Sequence, residues 1–294
     1  MSAILQILVT KADDFVSSTT GILFPVSQLH KTIHYSFVAF SGLLAAITFL
    51  VQWRNPAPYG KLKTPAEERK WGPKIPIIPA HVSSDGPSGT IMFLIIYLRG
   101  SQHGHWTNWM FASLFMAHYF QRGFIHPFIM KYGQNDVPVG IWFGGLAPNI
   151  LFHGLVADWL ANAVFPRNHL QSPVVLLGLV LFFGGFIVNR VADWKQREWK
   201  RKQDEARLKV GPVNEGYTFP KGWLFDFIAN PNYFGELVEW TGFLLITQAP
   251  ASLTWDLFSA ATFFARSAHN LAFYQKKFAD SYPRHRKALI PFIY

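Results

Sequence analysis

Seven stretches of this 294-residue chain are apolar enough to enter a bilayer, and together they leave little from which a water-soluble core could be built. They run over 29–52, 88–98, 106–130, 139–165, 173–189, 233–247 and 253–273. The second is short and depends on its Gly-Pro-Ser entrance, and the sixth crosses only if its acidic start lies in the bilayer. Half of all residues are hydrophobic and 17% aromatic, but only 15% are charged, against about a quarter in soluble domains. These features predict an all-α, polytopic integral membrane protein, a seven-transmembrane-helix bundle forming one domain over 1–294. No repeat divides it. Cysteine is absent, which excludes disulfides and thiolate chemistry. Lys11, Asp13 and Asp14 interrupt the N-terminal stretch, so a cleaved signal peptide is not expected.

The net charge of +10 follows the topology rather than a nucleic-acid-binding surface. Basic residues cluster in the first connection (Arg54, Lys61, Lys63, Arg69, Lys70, Lys74), in the fifth (from Lys195 to Lys221) and in the tail (from Lys276 to Lys287). With seven spans all three clusters fall on one side, and the positive-inside rule makes that side, with the C-terminus, cytosolic. Much of this charge then faces anionic lipid. No basic-aromatic nucleic-acid signature accompanies it.

Function is expected where polar residues interrupt apolar runs. Glu236 and Glu239 are three residues apart at the head of the sixth run, where an uncompensated charge costs about 2.5–3.5 kcal/mol, so a polar cavity is expected beside them. In the third run Tyr119 and Arg122 are three apart, and His126 lies one turn beyond. Asn189, Asp193 and Arg197, each four apart, form one stripe at the end of the fifth. His103 and His105, with no third ligand, read as a solvated turn rather than a metal site. There is neither a G-x-S-x-G elbow nor a G-x-G-x-x-G after a strand, so a serine hydrolase and a Rossmann domain are not indicated.

Taken in order, Tyr59-Gly60-Lys61, His118-Tyr119-Phe120-x-Arg122, Asn189-x-x-x-Asp193, Gly222-x-Leu224-Phe225, Asn232-x-x-Gly235-Glu236-x-x-Glu239-Trp240, Phe273-Tyr274-x-x-x-Phe278 and the terminal Tyr282-Pro283-x-x-Arg286-Lys287-Ala288-Leu289-Ile290-Pro291-Phe292-Ile293-Tyr294 resemble the steroid 5α-reductase family, the 3-oxo-5α-steroid 4-dehydrogenases. The resemblance is densest in the C-terminal half. It implies an endoplasmic-reticulum enzyme whose cytosolic loops cover a nucleotide cavity, and which uses NADPH to reduce the carbon-carbon double bond of a 3-oxo-Δ4 steroid or related lipophilic enone. Substrate-side helices would occupy about 29–165 and the cofactor part about 172–294. Beyond substrate and membrane lipid no partner is implied, and a monomer is expected. By the same resemblance Tyr119 donates to the substrate oxygen and Asp85 holds that phenol, with Ser84, Arg122 and His126 at the substrate. Cofactor contacts fall to Asn189, Asp193, Arg197, Lys200, Tyr217, Asn232, Glu236, Glu239, Arg266, Asn270 and Tyr274, with Tyr217 near the adenine.

Several positions depart from the family pattern. Ser84 and Asp85 replace a Gln-Glu pair, Thr218 an arginine, Asn270 a histidine and His126 a tyrosine. Without the resemblance, Ser83-Ser84-Asp85-Gly86-Pro87 reads as a turn before a helix start. The departures keep open a redox-neutral isomerase or cyclase. The C-terminal Asn-Pro-x-Tyr and paired-acid pattern is also similar to that of membrane methyltransferases using S-adenosylmethionine.

Overall fold

In the computed structural model, residues 3–62, 65–132, 135–210 and 218–294 are described. Helices account for most of them: α1 (Ala3–Thr20), α2 (Gln28–Arg54), α3 (Pro65–Arg69), α4 (Ile77–Pro87), α5 (Phe93–Tyr97), α6 (Trp106–Phe120), α7 (His126–Ile129), α8 (Val139–Asn162), α9 (Pro173–Val210), α10 (Pro231–Thr247) and α11 (Pro250–Phe278). Two three-residue strands, β1 (Lys74–Pro76) and β2 (Asp136–Pro138), pair antiparallel with Ile75 opposite Val137. They tie the connection after α2 to the entry of α8.

Three helices are long and apolar enough to cross a membrane: Gln28–Arg54, Val139–Asn162 and the Pro173–Glu205 part of α9. The chain is therefore a helical membrane protein. Each of the three coincides with one of the seven expected runs, although the helix from Val139 ends at Asn162, short of the expected 165. The run at 88–98 does not start a helix of its own, because α4 leads without a break through a π-helical segment, Ser88–Met92, into α5. A second π segment, Gln121–Ile125, joins α6 to α7. The stretch before residue 21 is also helical; Asp13 of α1 accepts from Lys31 Nζ at 2.5 Å and Tyr35 Oη at 3.1 Å.

Glycines set how closely the helices approach. Gly178 and Gly185 of α9 are seven residues apart, as are Gly235 and Gly242 of α10, so each pair stays on one face of its helix. A Cβ on Gly185 would lie 2.3 Å from Glu239 N, one on Gly235 2.4 Å from Asn189 N, and one on Gly242 2.4 Å from Phe182 N. Backbones in contact along this seam are what small residues permit within membranes. The seam sets Asn189 against Glu236. The core around it is aromatic: Phe115, Phe152, Trp159, Trp240 and Phe243 are at most 1% exposed.

Candidate active site

The end of α4 meets the second π segment at another glycine contact. A Cβ on Gly123 would fall 2.2 Å from Gly86 Cα, and one on Gly86 2.8 Å from the Phe124 ring. This approach brings Asp85, the residue before Gly86, beside Arg122, the residue before Gly123: Arg122 Nε lies 3.9 Å from Asp85 Oδ2. π-bulges often mark functional sites because the inserted residue re-aims the side chains around it.

A cavity of about 480 Å³ opens here between α2 and α11 on one wall and α4 and α8 on the other. Apolar groups such as Ile47, Val51, Ile141 and Phe258 line most of it, and Ser84, Asp85, Arg122 and Asn149 supply polarity at one end. The volume is within the usual range for small-molecule sites. Asp85 Oδ1 accepts from Ser84 Oγ at 2.9 Å and from Asn149 Nδ2 at 2.9 Å, and Asn149 Nδ2 also reaches Ser84 O at 3.0 Å. Tyr119 is only 3% exposed and does not line this cavity. Its ring lies in the wall behind it, where a Cβ on Gly89 would meet Tyr119 Cγ at 2.1 Å. His153 packs against it with ring centroids 4.0 Å apart and planes tilted by 53°, and His153 Nδ1 is 3.1 Å from Ser88 Oγ.

From Arg122 the polar network continues toward α9. Arg122 Nη1 lies 3.7 Å from Asp193 Oδ2 and 3.3 Å from His126 Nε2, and His126 Nδ1 lies 3.2 Å from Asp193 Oδ2. Asn189 Nδ2 donates to Asn232 O at 2.9 Å and Glu236 Oε2 at 3.1 Å. The structure therefore brings Arg122, His126, Asn189, Asp193, Asn232 and Glu236 together. Glu239 departs from the expectation of a cofactor contact. It is wholly buried, with Oε1 2.7 Å from Nδ1 of His118 on α6. Three residues turn a helix by about 300°, leaving the two side chains about 60° apart, an offset at which Glu236 meets α9 and Glu239 meets α6.

A second group gathers where α11 meets the Tyr59–Lys61 turn. Arg266 donates to Tyr59 O at 2.9 Å, Ala57 O at 3.3 Å and Tyr233 Oη at 3.1 Å, and stacks on the Tyr59 ring at 3.4 Å. Lys61 Nζ donates to Tyr274 Oη at 2.7 Å. Burial, and then the nearby Arg266 charge, hold the Lys61 amine down at about 7. Asn270 Nδ2 donates to Asn230 Oδ1 at 2.7 Å. Arg197 stacks on Trp194 and lies 3.5 Å from Glu198, and Lys200 Nζ donates to Lys131 O at 3.0 Å. Tyr217 lies outside the described residues. Thr218 accepts from Trp199 Nε1 at 3.1 Å. His103 Nδ1 is 2.8 Å from Gly100 O, and no three potential ligands converge on a metal site among the described residues.

Comparison with known proteins assigns this arrangement to a family. The sequence profile described as 3-oxo-5-alpha-steroid 4-dehydrogenase matches residues 135–294. The chain belongs to the 3-oxo-5α-steroid 4-dehydrogenase family. It is 30% identical over 266 residues to the steroid 5-alpha-reductase DET2 of Gossypium hirsutum, covering 89% of this chain and 97% of that one. Against 3-oxo-5-alpha-steroid 4-dehydrogenase 1 of Rattus norvegicus it is 29% identical over 261 residues, with 87% and 93% covered. Within this family, Asn149 of α8, Ser88 and the His118 partner of Glu239 were not assigned roles from sequence. Asn149 carried no motif, whereas His118 was visible beside Tyr119 but gave no sign of which acid it would meet.

Proposed function

We propose that the protein is a membrane oxidoreductase that transfers hydride from NADPH to the carbon-carbon double bond of a 3-oxo-Δ4 steroid or similar lipophilic enone, within a seven-helix bundle of the endoplasmic reticulum whose C-terminus is cytosolic. The observation that carries this reading is the charged pair at one end of a mostly apolar cavity: Asp85, fastened by Ser84 and Asn149, beside an Arg122 that also reaches Asp193. A flat apolar ligand suits the cavity walls, and the polar end suits a ketone.

NADPH, when bound, supplies the hydride. Its fit is supported by buried polar atoms left without partners beyond Arg122, among them Asn189 Oδ1, Asn270 Oδ1 and Arg197 Nε. Amides with a free acceptor suit a carboxamide, and Lys61, Arg197 and Arg266 suit phosphates. Asn232, Glu236 and Tyr274 would line the same nucleotide, with Lys200 toward its outer end. Hydride arrival at the β carbon drives negative charge onto the ketone oxygen, so a donor aimed at that oxygen lowers the barrier. Tyr119 is the proposed donor from the wall behind Gly89, with Arg122 as the fixed positive charge. Asp85 holds Arg122 in place, and the proton that completes the α carbon is taken up from water and relayed through the Asp85 carboxyl.

The test is NADPH consumption with a Δ4-3-ketosteroid by purified protein, compared with Tyr119→Phe and Asp85→Asn. Loss of turnover in both with nucleotide binding retained is expected; equal turnover in Tyr119→Phe would remove the phenol from the mechanism.

A further inference from the structure

The last six residues form a closed tip. Leu289 N and Ile290 N both donate to Tyr294 O at 2.7 Å, and Tyr294 Oη donates to Phe264 O on α11 at 3.3 Å, with the two rings 5.1 Å apart. At its apex Phe292 is 77% and Ile293 76% exposed, and Phe292 holds a φ of 66°. A left-handed conformation is unfavourable for a residue with a side chain. The fold meets that cost to turn two large apolar side chains outward.

The depth of the tip shows what receives them. His269 Nε2 lies 3.2 and 3.1 Å from the carbonyls of Gln52 and Trp53, so this level of α11 coincides with the end of membrane-spanning α2. Phe264 is five residues earlier on α11, about 7.5 Å deeper at 1.5 Å per residue. It also lies two turns from Leu257, which is 50% exposed on the outer face of α11. The tip thus sits on the outside of the bundle, below the level of Arg54. Exposed cations, Lys276 and Arg284, occupy the chain that leads to it, the order expected of a segment passing anionic headgroups on its way into acyl chains.

We infer that residues 289–294 are a lipid-inserted anchor: Phe292 and Ile293 enter the acyl region of the leaflet at the Arg54 end of the bundle. The anchor is coupled to the site. Ala288 O accepts from Asn230 Nδ2 at 3.0 Å, Lys287 and Ala229 exchange a backbone bond at 2.9 Å, and Asn230 in turn holds Asn270. Lipid contact at the tip therefore steadies the frame at the start of α10. This inference is independent of the proposed chemistry.

Because the chain has no cysteine, Ile293→Cys gives a unique attachment point for a nitroxide. The protein is reconstituted in liposomes of phosphatidylcholine with phosphatidylserine, and collisions of the label with oxygen and with a water-soluble nickel chelate are measured. References are Leu50→Cys on the exposed face of α2 and Lys276→Cys. The expected result is an oxygen-to-nickel ratio at 293 that matches position 50 and exceeds position 276 several-fold, with Phe292→Cys behaving alike. Nickel access at 293 equal to that at 276 would overturn the inference. So would dipolar broadening at 293 that disappears on dilution with unlabelled protein, since it would assign the tip to a second copy of the chain.

Discussion

Gly123→Ala tests the contact on which the cavity geometry depends. The new Cβ would lie 2.2 Å from Gly86 Cα and 2.3 Å from Gly86 N, whereas ordinary contact begins at 3.4 Å. Both obstacles are backbone, so no side-chain rotation relieves them and the α4 and α6 segments must part by about 1.2 Å. Overpacking of this kind costs about 1–3 kcal/mol of stability. The larger consequence falls on chemistry: Arg122 moves away from Asp85, already 3.9 Å distant, and a displacement of about 1 Å at a reacting centre costs about 100-fold in turnover. NADPH consumption and thermal unfolding in detergent are compared with Gly184→Ala, where a Cβ meets nothing within 4 Å. The expected outcome is a turnover loss far larger than the loss of thermal stability explains, with the control unchanged. Wild-type turnover in Gly123→Ala would refute the argument that the glycine contact positions the two ionic groups.

Asn149→Leu removes a donor from Asp85 Oδ1; at about 1.5–3 kcal/mol for a hydrogen bond to a charged group, kcat should fall about tenfold to a hundredfold with KM nearly unchanged in steady-state assays. Lys61 has its folded pKa lowered from 10.5 to about 7, so its positive charge is present below that pH and lost above it. Nucleotide affinity measured by titration should therefore weaken from pH 7 to 9 in the native protein but not in Lys61→Arg, which stays charged throughout. Glu239→Ala leaves His118 Nδ1 without its partner in the core, and an unsatisfied buried polar group costs about 1–3 kcal/mol. Thermal unfolding should show that loss, with Glu239→Gln less affected, while Glu236→Ala should change nucleotide affinity and leave unfolding nearly unaltered.

The membrane class of the fold was legible because long apolar runs admit few alternatives, and α2, α8 and α9 coincide with three of the expected ones. The entry to 88–98 was misleading for a local reason. Ser83, Asp85, Gly86 and Pro87 are turn formers by composition, yet they lie inside α4. The π segment that follows accommodates Pro87, and Asn149 and Trp142 of α8, packed beside α4 on the same wall of the cavity, bond to this stretch. Such support comes from residues about 60 positions away and leaves no local trace. The site was legible as a set of residues but not in its orientation. Spacing placed Glu236 and Glu239 on one helical face, yet the glycine seam, by fixing the rotation of α10 against α9, gives the two acids different partners. Tyr119 was similarly legible as a residue, whereas its position behind Gly89 depends on the close approach of two helices.

The central claim is that this family member moves hydride from a reduced nicotinamide to a conjugated ketone beside Asp85 and Arg122. Its most direct test is isotopic: purified protein is given a Δ4-3-ketosteroid and NADPH deuterated at the transferable position of C4, and the product is analysed by mass spectrometry and NMR. The account predicts one deuterium at the former β carbon of the enone, stoichiometric with NADP⁺ formed. An isomerised or cyclised product without deuterium, formed while NADPH remains unconsumed, would contradict it.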